Sequence, residues 1–371
     1  MPSLRSALAL CATVAAAPLL ARGAPFGDLP REEPLPLARG ALPQDGAKGE
    51  GPQEKGGLDA LGRQLRGEGP WTPALGPAAP SEPYRAPVVS ADPGRSGAWR
   101  TQLQLGTQHA ASAELGSAEG RLETRRLGAD IRALRGDRDE GALVDVGIEV
   151  SEYRFRGATG LLFNTDSPTE DVVGIGAGAG WRGRVSERWE WLAGVSVRAA
   201  GEVDADFGDA LTYAVLGTAT YRPQARIGWT FGALALTQLE DSAQVIPVIG
   251  VDWRIDARTQ IATRGPKIEL SRELDGGFRA YASVEYQSRQ YRLDDSGPLP
   301  EGVMRDRAFA GLVGLDWDPR FGSEEPTSKR LSIFVGSNLW REIAFLENDR
   351  TVARSRLHPG MLIGISLRFG L

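Results

Sequence analysis

The chain has 371 residues, of which 41% are hydrophobic and 25% charged, with a net charge of −5 and a pI near 5.4. That balance gives no global basic field, and no Lys/Arg cluster interleaves with aromatics, so nucleic-acid binding is excluded. Outside the N-terminus no stretch approaches the roughly 18 to 20 apolar residues of a membrane helix, which excludes a helical membrane protein.

The N-terminus reads as a secretory signal. Arg5 precedes an apolar run from Ala7 to Leu20, and Ala21 and Gly23 occupy the small-residue positions before a cleavage point, placed near Gly23. Cys11 follows Leu10, too bulky for a lipid-attachment site, so it belongs to the signal core. Its removal leaves a mature chain without cysteine, hence without disulfides or thiolate metal sites. Residues 24–95 hold 13 Pro and 12 Gly among 72 residues, too many breakers to bury a core, and are expected to form a disordered periplasmic linker. Leu58, Leu61 and Leu65 share one helical face there, a candidate handle for a periplasmic partner.

From about residue 96 the pattern has period two. "WRTQLQLGTQ" puts Trp99, Thr101, Leu103 and Leu105 in one phase. Further strands are expected in "LVDVGIEVSEYRF", "VVGIGAGAGWRG", "WEWLAGVSVRA", "LTYAVLGTATYR", "IGWTFGALALTQ", "VIPVIGVDWRI", "FRAYASVEYQSRQYRL", "RAFAGLVGLDW" and "RLSIFVGSNLW". The closing "HPGMLIGISLRFGL" sets Met361, Ile363, Ile365, Leu367 and Phe369 against Leu362, Gly364, Ser366 and Arg368. Segments of about ten residues with one apolar face, separated by turns, predict an all-β fold: a transmembrane up-and-down antiparallel β-barrel over 96–371. A soluble β-sandwich alternates too, but would keep its tryptophans mid-strand in the core. Here Trp99, Trp181, Trp189, Tyr221, Trp229, Trp253 and Trp317 fall in the apolar phase near strand ends at the shorter turns, as a membrane-interface girdle requires.

Thirteen candidate strands emerge, whereas a single-chain barrel with both ends on one side needs an even number. "LDGG" at 274–277 also arrives one step out of the alternation of long and short turns. Deleting one crossing between Ile227 and Arg272 repairs both, and Pro266 points to "TQIATRGPKIELSREL", since proline cannot donate within a central ladder. The expectation is about 12 strands, in a range of about 10 to 14.

The stretch "VIPVIGVDWRIDARTQIATRGPKIELSRELDGGFRAYASVEYQSRQYRLDD", with the strand-rich region around it, resembles an uncharacterised family of bacterial outer-membrane β-barrels, over about residues 98–371. The resemblance implies a barrel in the outer membrane, with outer-membrane lipid and the barrel-assembly machinery as partners, and transfers no active residues. The chain departs from the usual terminal aromatic: it ends in Leu371, with Phe369 two positions earlier.

Chemistry is sparse. "GIGAGA" formally fits a nucleotide fingerprint, but a strand and not a helix follows, so the alternating Gly174, Gly176, Gly178 and Gly180 instead leave one face bare for close packing. An inward-folded "GATGLLFNTDSPTED" loop is the candidate occupant. The only histidines, His109 and His358, fall where outward loops are expected, near Ser112 and Ser355; hydrolase chemistry and a metal site at these two are the minor readings. No cofactor is expected. With the apolar phase outward, the lumen-facing candidates are Glu190, Arg198, Asp252, Arg254, Lys267, Glu269, Arg279, Glu285, Arg289, Asp316 and Arg368. Both signs occur, so paired networks that constrict the path are expected, not the single-sign ring of a selective pore. Two main functions remain open: a porin-like passive channel of low conductance, or a sealed barrel that anchors a periplasmic partner-binding segment.

Overall fold

The computed structural model describes residues 99–370 except 117, 137–139, 163–164, 170, 241–242 and 319–328; the signal and linker segments lie outside the described residues. The chain forms strands β1 (Arg100–Glu114), β2 (Arg121–Gly136), β3 (Glu140–Arg156), β4 (Asp171–Ser186), β5 (Trp189–Glu202), β6 (Leu211–Gln224), β7 (Ile227–Leu236) and β8 (Gln244–Arg254). They continue as β9 (Thr259–Arg264), β10 (Lys267–Glu273), β11 (Phe278–Arg292), β12 (Val303–Trp317), β13 (Lys329–Glu347), β14 (Arg350–Leu357) and β15 (Gly360–Gly370). Each strand pairs antiparallel with its sequence neighbour from β1 to β13, and β15 joins β13 to β1, so the sheet closes on itself. Closure leaves no strand edge to lipid around most of the circumference.

The wall has 14 strands, because β14 and β15 run in succession along one partner, β13. His358 and Pro359 interrupt them: proline has no N–H for the ladder and divides one long crossing in two. The expected count of about 12 therefore needs correction. "TQIATRGPKIELSREL" does not drop out of the wall; it crosses twice, as β9 and β10. Pro266 sits in the two-residue turn between them, where its missing N–H costs nothing. Gly265 at φ 57° followed by proline has the sign pattern of a tight hairpin turn. The added crossing brings residues 274–277 back into step with the other short turns.

Those turns, at 187–188, 225–226, 255–258 and 274–277, share the end of the barrel that carries the start of β1 and the end of β15 (the terminal end). The connections at 115–120, 157–170, 203–210, 237–243 and 293–302 lie at the opposite, loop end.

Alternation decides what each face meets. Val144, Val146 and Ile148 of β3, Val195 of β5, Phe231 of β7, Val313 of β12 and Ile363 of β15 stand exposed on the outside, while Glu149, Arg198, Arg289 and Asp306 are buried within. A water-soluble protein does not present hydrocarbon around its circumference and bury charge inside; a membrane-spanning barrel does. Trp99, Trp181, Trp189, Trp229 and Trp253 are exposed on the outer face at the terminal end. Tyr221 packs beside Trp189 with its ring tilted (4.9 Å between ring centres), and Trp317 stacks over Phe278 (6.2 Å).

The main apolar core is at the loop end. Leu122, Tyr153, Phe155, Tyr291, Met304, Ile343 and Phe345 point inward from the walls, and Ala158, Leu161 and Leu162 of the β3–β4 connection fold in among them with Leu293 and Leu299 of the β11–β12 connection. The result is a plug. Ala158, Leu161 and Leu162 of the "GATGLLFNTDSPTED" loop do turn inward, but they do not fill the bare face of the β4 glycines. A Cβ at Gly174 would meet the Arg198 guanidinium at 2.8 Å, and one at Gly178 would meet the Asp145 carboxylate at 2.8 Å. Side chains of the flanking strands use that space.

Candidate functional site: a bridged lumen beside a break in the wall

Below the plug, charged side chains reach across the interior. Asp306 of β12 accepts from Arg341 Nε (3.0 Å) and Nη2 (2.8 Å), from Tyr153 Oη (2.8 Å) and from Arg126 Nη2 (2.5 Å). Arg341 also donates to Thr124 Oγ1 at 2.8 Å, so β12 and β13 are tied to β2 and β3 through the lumen. Glu149 of β3 forms the second bridge: Tyr291 Oη donates to it at 3.1 Å, with Arg289 Nε at 3.4 Å and Arg198 Nη2 at 3.5 Å. In the order of the wall β3 and β11 are six strands apart out of fourteen, and β5 approaches β11 directly at Gly201 and Arg292, so this cluster ties β3, β5 and β11 together through the interior. Asp306 is fully engaged by its donors, whereas Glu149 Oε2 and Arg198 Nη2 are buried without a hydrogen bond; opposite charges at this spacing still attract across a desolvated interior and occupy it.

The eleven lumen-facing candidates all occupy the inward phase, but they divide into separate groups. Glu190 lies between Arg184 (3.2 Å) and Arg222 (3.4 Å), and Asp252 lies 3.6 Å from Arg222; this set is at the terminal mouth, as is Arg254. Midway, Lys267 pairs with Glu269 (3.0 Å), Glu269 with Arg279, and Arg279 with Asp316 (2.5 Å). Glu285 is buried opposite Lys267 in the ladder, and Arg368 donates to Gln104 at 3.4 Å. Arg198 and Arg289 alone join the Glu149 bridge, so Arg279, Glu285 and Arg289 do not form one constriction. Sequence reasoning missed Arg126, Glu149, Asp306 and Arg341. Asp306 and Arg341 lie one residue outside the strand segments, which began at Arg307 and stopped at Trp340, and register shifts at Phe309/Ala310 and Phe345/Leu346 blur the alternation there.

The histidines are placed differently from expectation. His109 is inside β1, opposite Ile363, on the outer face, and His358 interrupts the last crossing with its backbone N–H donating to Glu114 O at 3.0 Å. His109 lies 3.9 Å from Glu123 on the outer face, whereas Ser355 is buried. Among the described residues no group of three or more His, Cys, Asp or Glu is arranged to hold a metal ion.

A second feature adjoins the bridges. The β9–β10 hairpin is short, and it ends half-way up the wall. Above it the edge of β8 from Gln244 to Gly250 has no ladder partner among the described residues on its β9 side, and neither has β11 from Gln287 to Tyr291 on its β10 side. At about 3.4 Å per residue the break runs about 20 Å along the strands. The β7–β8 connection closes its top: Gln238 meets Gln290 (2.9 Å), Leu239 N–H donates to Gln290 (3.0 Å), and Glu240 pairs with Arg292 (2.7 Å). Behind it β5 bridges directly to β11 at Gly201 and Arg292, an approach that only glycine allows, since a Cβ at 201 would meet Arg292 O at 2.9 Å.

The wall beside this window is apolar on both faces. Outward, Val245 and Ile249 are 72% and 70% exposed. Inward, Ala214, Leu216, Leu234, Leu236, Ile246 and Val248 pack together. A pocket lined by Ser196, Arg198, Ala200, Thr212, Leu236 and Gln290 lies between β5 and this leaf, with Arg198 of the Glu149 bridge on one side and Gln290 of the window's edge on the other.

No family model and no curated protein matches the chain, so the resemblance over 98–371 has no family model behind it. Among solved structures, an outer-membrane channel from Pseudomonas putida F1 aligns with a TM-score of 0.42 at 10% identity, over 76% of this chain and 100% of that one. The P. putida toluene transporter TodX aligns at 0.38 and 9%, over 73% and 90%. Pseudomonas aeruginosa OccK9 aligns at 0.30 and 13%, over 74% and 98%. All three scores fall below 0.5, so the likeness does not carry the functions of those proteins to this chain.

Proposed function

We propose that the protein is a passive channel of the bacterial outer membrane with low axial conductance, and that its wall window gives small apolar solutes a passage between the pocket and the bilayer. The observation that carries this reading is the break between β8 and β11 next to an inner wall of Leu216, Ile246 and Val248. An apolar lining inside a barrel is costly against water and useful to an apolar solute. The terminal end faces the periplasm in this reading, with residues 24–95 as a periplasmic handle for a partner and the assembly machinery acting on the last strand. No cofactor and no enzymatic step enters it.

Cells with an intact outer membrane exclude N-phenyl-1-naphthylamine, an apolar fluorophore. Expression of the parent is expected to raise its uptake several-fold, and Ile246→Glu with Val248→Glu to abolish the gain, while single-channel conductance of both proteins stays low with weak ion selectivity. Parent uptake no greater than in cells without the protein sinks the window. A second reading, a sealed anchoring barrel, has the apolar plug in its favour; it requires neither uptake nor conductance in the same two assays.

Protease added from the periplasmic side is expected to trim residues 24–95 and leave a core beginning near Gly97, read by mass of the protected fragment. Protection of the whole segment would place it inside the barrel.

A further inference from the structure

The outer face changes character on one sector at the loop end. Along β2 the outward positions run Ile131, Ala129, Leu127 and then Arg125, Glu123, Arg121; along β3 they run Val146, Ile148, Val150 and then Glu152, Arg154, Arg156. The ladder sets Arg125 beside Glu152, Glu123 beside Arg154, and Arg121 beside Arg156 and Glu114. β14 adds Arg354 and Arg356, both exposed, and the Gly116 N–H donates to Arg356 O at 2.6 Å, which joins that strand to the end of β1. On β4 the outward row begins at Asp171, beside Glu152, and turns apolar at Val173; on β5 to β8 the corresponding outward positions stay apolar, with Val197, Tyr213, Ala235 and Val245.

Six arginines (121, 125, 154, 156, 354 and 356) face five carboxylates (Glu114, Glu123, Glu152, Asp171 beside Glu152, and Glu342 beside Arg356), an excess of one positive charge before His109 and the buried Arg307 beside Glu342 are counted. The carboxylates position the guanidiniums without burying them. Arg121 lies 3.1 Å from Glu114 and Arg125 2.8 Å from Glu123, yet their side chains are 62% and 42% exposed. Arg156, 3.8 Å from Glu123, is 71% exposed.

We propose that this patch binds the phosphate groups of an anionic lipid in the leaflet at the loop end. Successive outward residues are about 7 Å apart, so the arginines begin one step above the last apolar row, the depth at which lipid phosphates lie over hydrocarbon. A fixed array of guanidiniums presents paired N–H donors that match phosphate oxygens, which a lysine array would not. A soluble anionic partner has no reason to dock half on the hydrocarbon belt, and the excess charge would be repelled by a cationic one. The proposal rests on the barrel spanning a membrane but not on its transporting anything; heat-modifiable migration of each variant checks insertion separately.

The test is native mass spectrometry of the full chain, folded in detergent, with a bis-phosphorylated glycolipid, its dephosphorylated form, or inorganic phosphate as the added probe. The parent is expected to retain the phosphorylated lipid at least ten-fold better than the dephosphorylated one. The variant with Arg121→Gln, Arg125→Gln, Arg154→Gln and Arg156→Gln is expected to lose that preference, and Arg258→Gln with Arg272→Gln at the terminal end to keep it. The milder pair Arg125→Gln with Arg156→Gln is expected to lose about half of the preference on a logarithmic scale, and it decides the matter if the quadruple variant does not fold. Equal retention by parent and arginine variants overturns the proposal, as does equal retention of the two lipids. Displacement of the lipid by millimolar inorganic phosphate would show a free-anion site and overturn it too.

Discussion

Asp306→Ala is expected to abolish folding of the barrel or to lower its urea midpoint in detergent micelles more than any other single lumen substitution. Asp306 is 1% exposed and takes hydrogen bonds from Arg126, Arg341 and Tyr153, whose donors have no other carboxylate among their hydrogen-bond partners. Its removal leaves two guanidiniums, 9% and 3% exposed, without their hydrogen-bonded counter-charge in a low-dielectric interior. Breaking a buried pair in this way costs about 3 to 5 kcal/mol, because the orphaned ion keeps its desolvation penalty. Asp306→Asn keeps an acceptor but not the charge and should fall between. The diagnostic comparison is the combined Arg126→Met, Asp306→Leu, Arg341→Met variant, which removes the whole cluster and should recover most of the stability. Heat-modifiable migration and the urea midpoint read all three. A stable Asp306→Ala barrel would mean that water fills the lumen at that level and the bridge is not a constriction.

Replacing residues 158–162 with a Gly-Ser segment of equal length is expected to raise single-channel conductance several-fold and to make the protein easier to unfold. Leu161 and Leu162 are buried among Leu122, Tyr153, Phe155 and Phe345, and truncating a buried leucine costs about 2 to 5 kcal/mol. Part of that loss falls on the plug alone, since the wall ladders do not depend on the loop. The two outcomes separate two routes. A large rise in conductance with unchanged fluorophore uptake shows that the plug bars the axis and the window is independent. Unchanged conductance shows that the bridges at Asp306 and Glu149 already close the axis beneath it.

The barrel, the phase of its faces and the aromatic end were legible in the sequence because each depends on period two alone. Alternation over ten residues fixes which side chains share a face whatever the strand pairs with. Thus Trp229 and Trp253 read as outward, and Arg198 and Asp316 as inward, before any neighbour was known. The strand number was not legible at Pro266, where a rule that holds within a ladder was applied to what proved to be a turn between two short strands. A two-residue hairpin differs from a broken strand only in how the flanking residues pair, and pairing is not local.

Three features were decided only by tertiary structure. The bridges from Glu149 to Arg289 and from Asp306 to Arg126 join residues 140 and 180 positions apart, and curvature of a closed sheet, not sequence spacing, brings them together. The window exists because β9 and β10 stop short while β8 and β11 continue, a mismatch visible only when all four ladders are laid side by side. The arginine patch was present in the sequence as isolated charges, and became a surface when the registers of β1, β2 and β3 stacked them in rows at the edge of the apolar belt. Local pattern determined which way each residue of this protein faces; closure of the sheet determined what it faces.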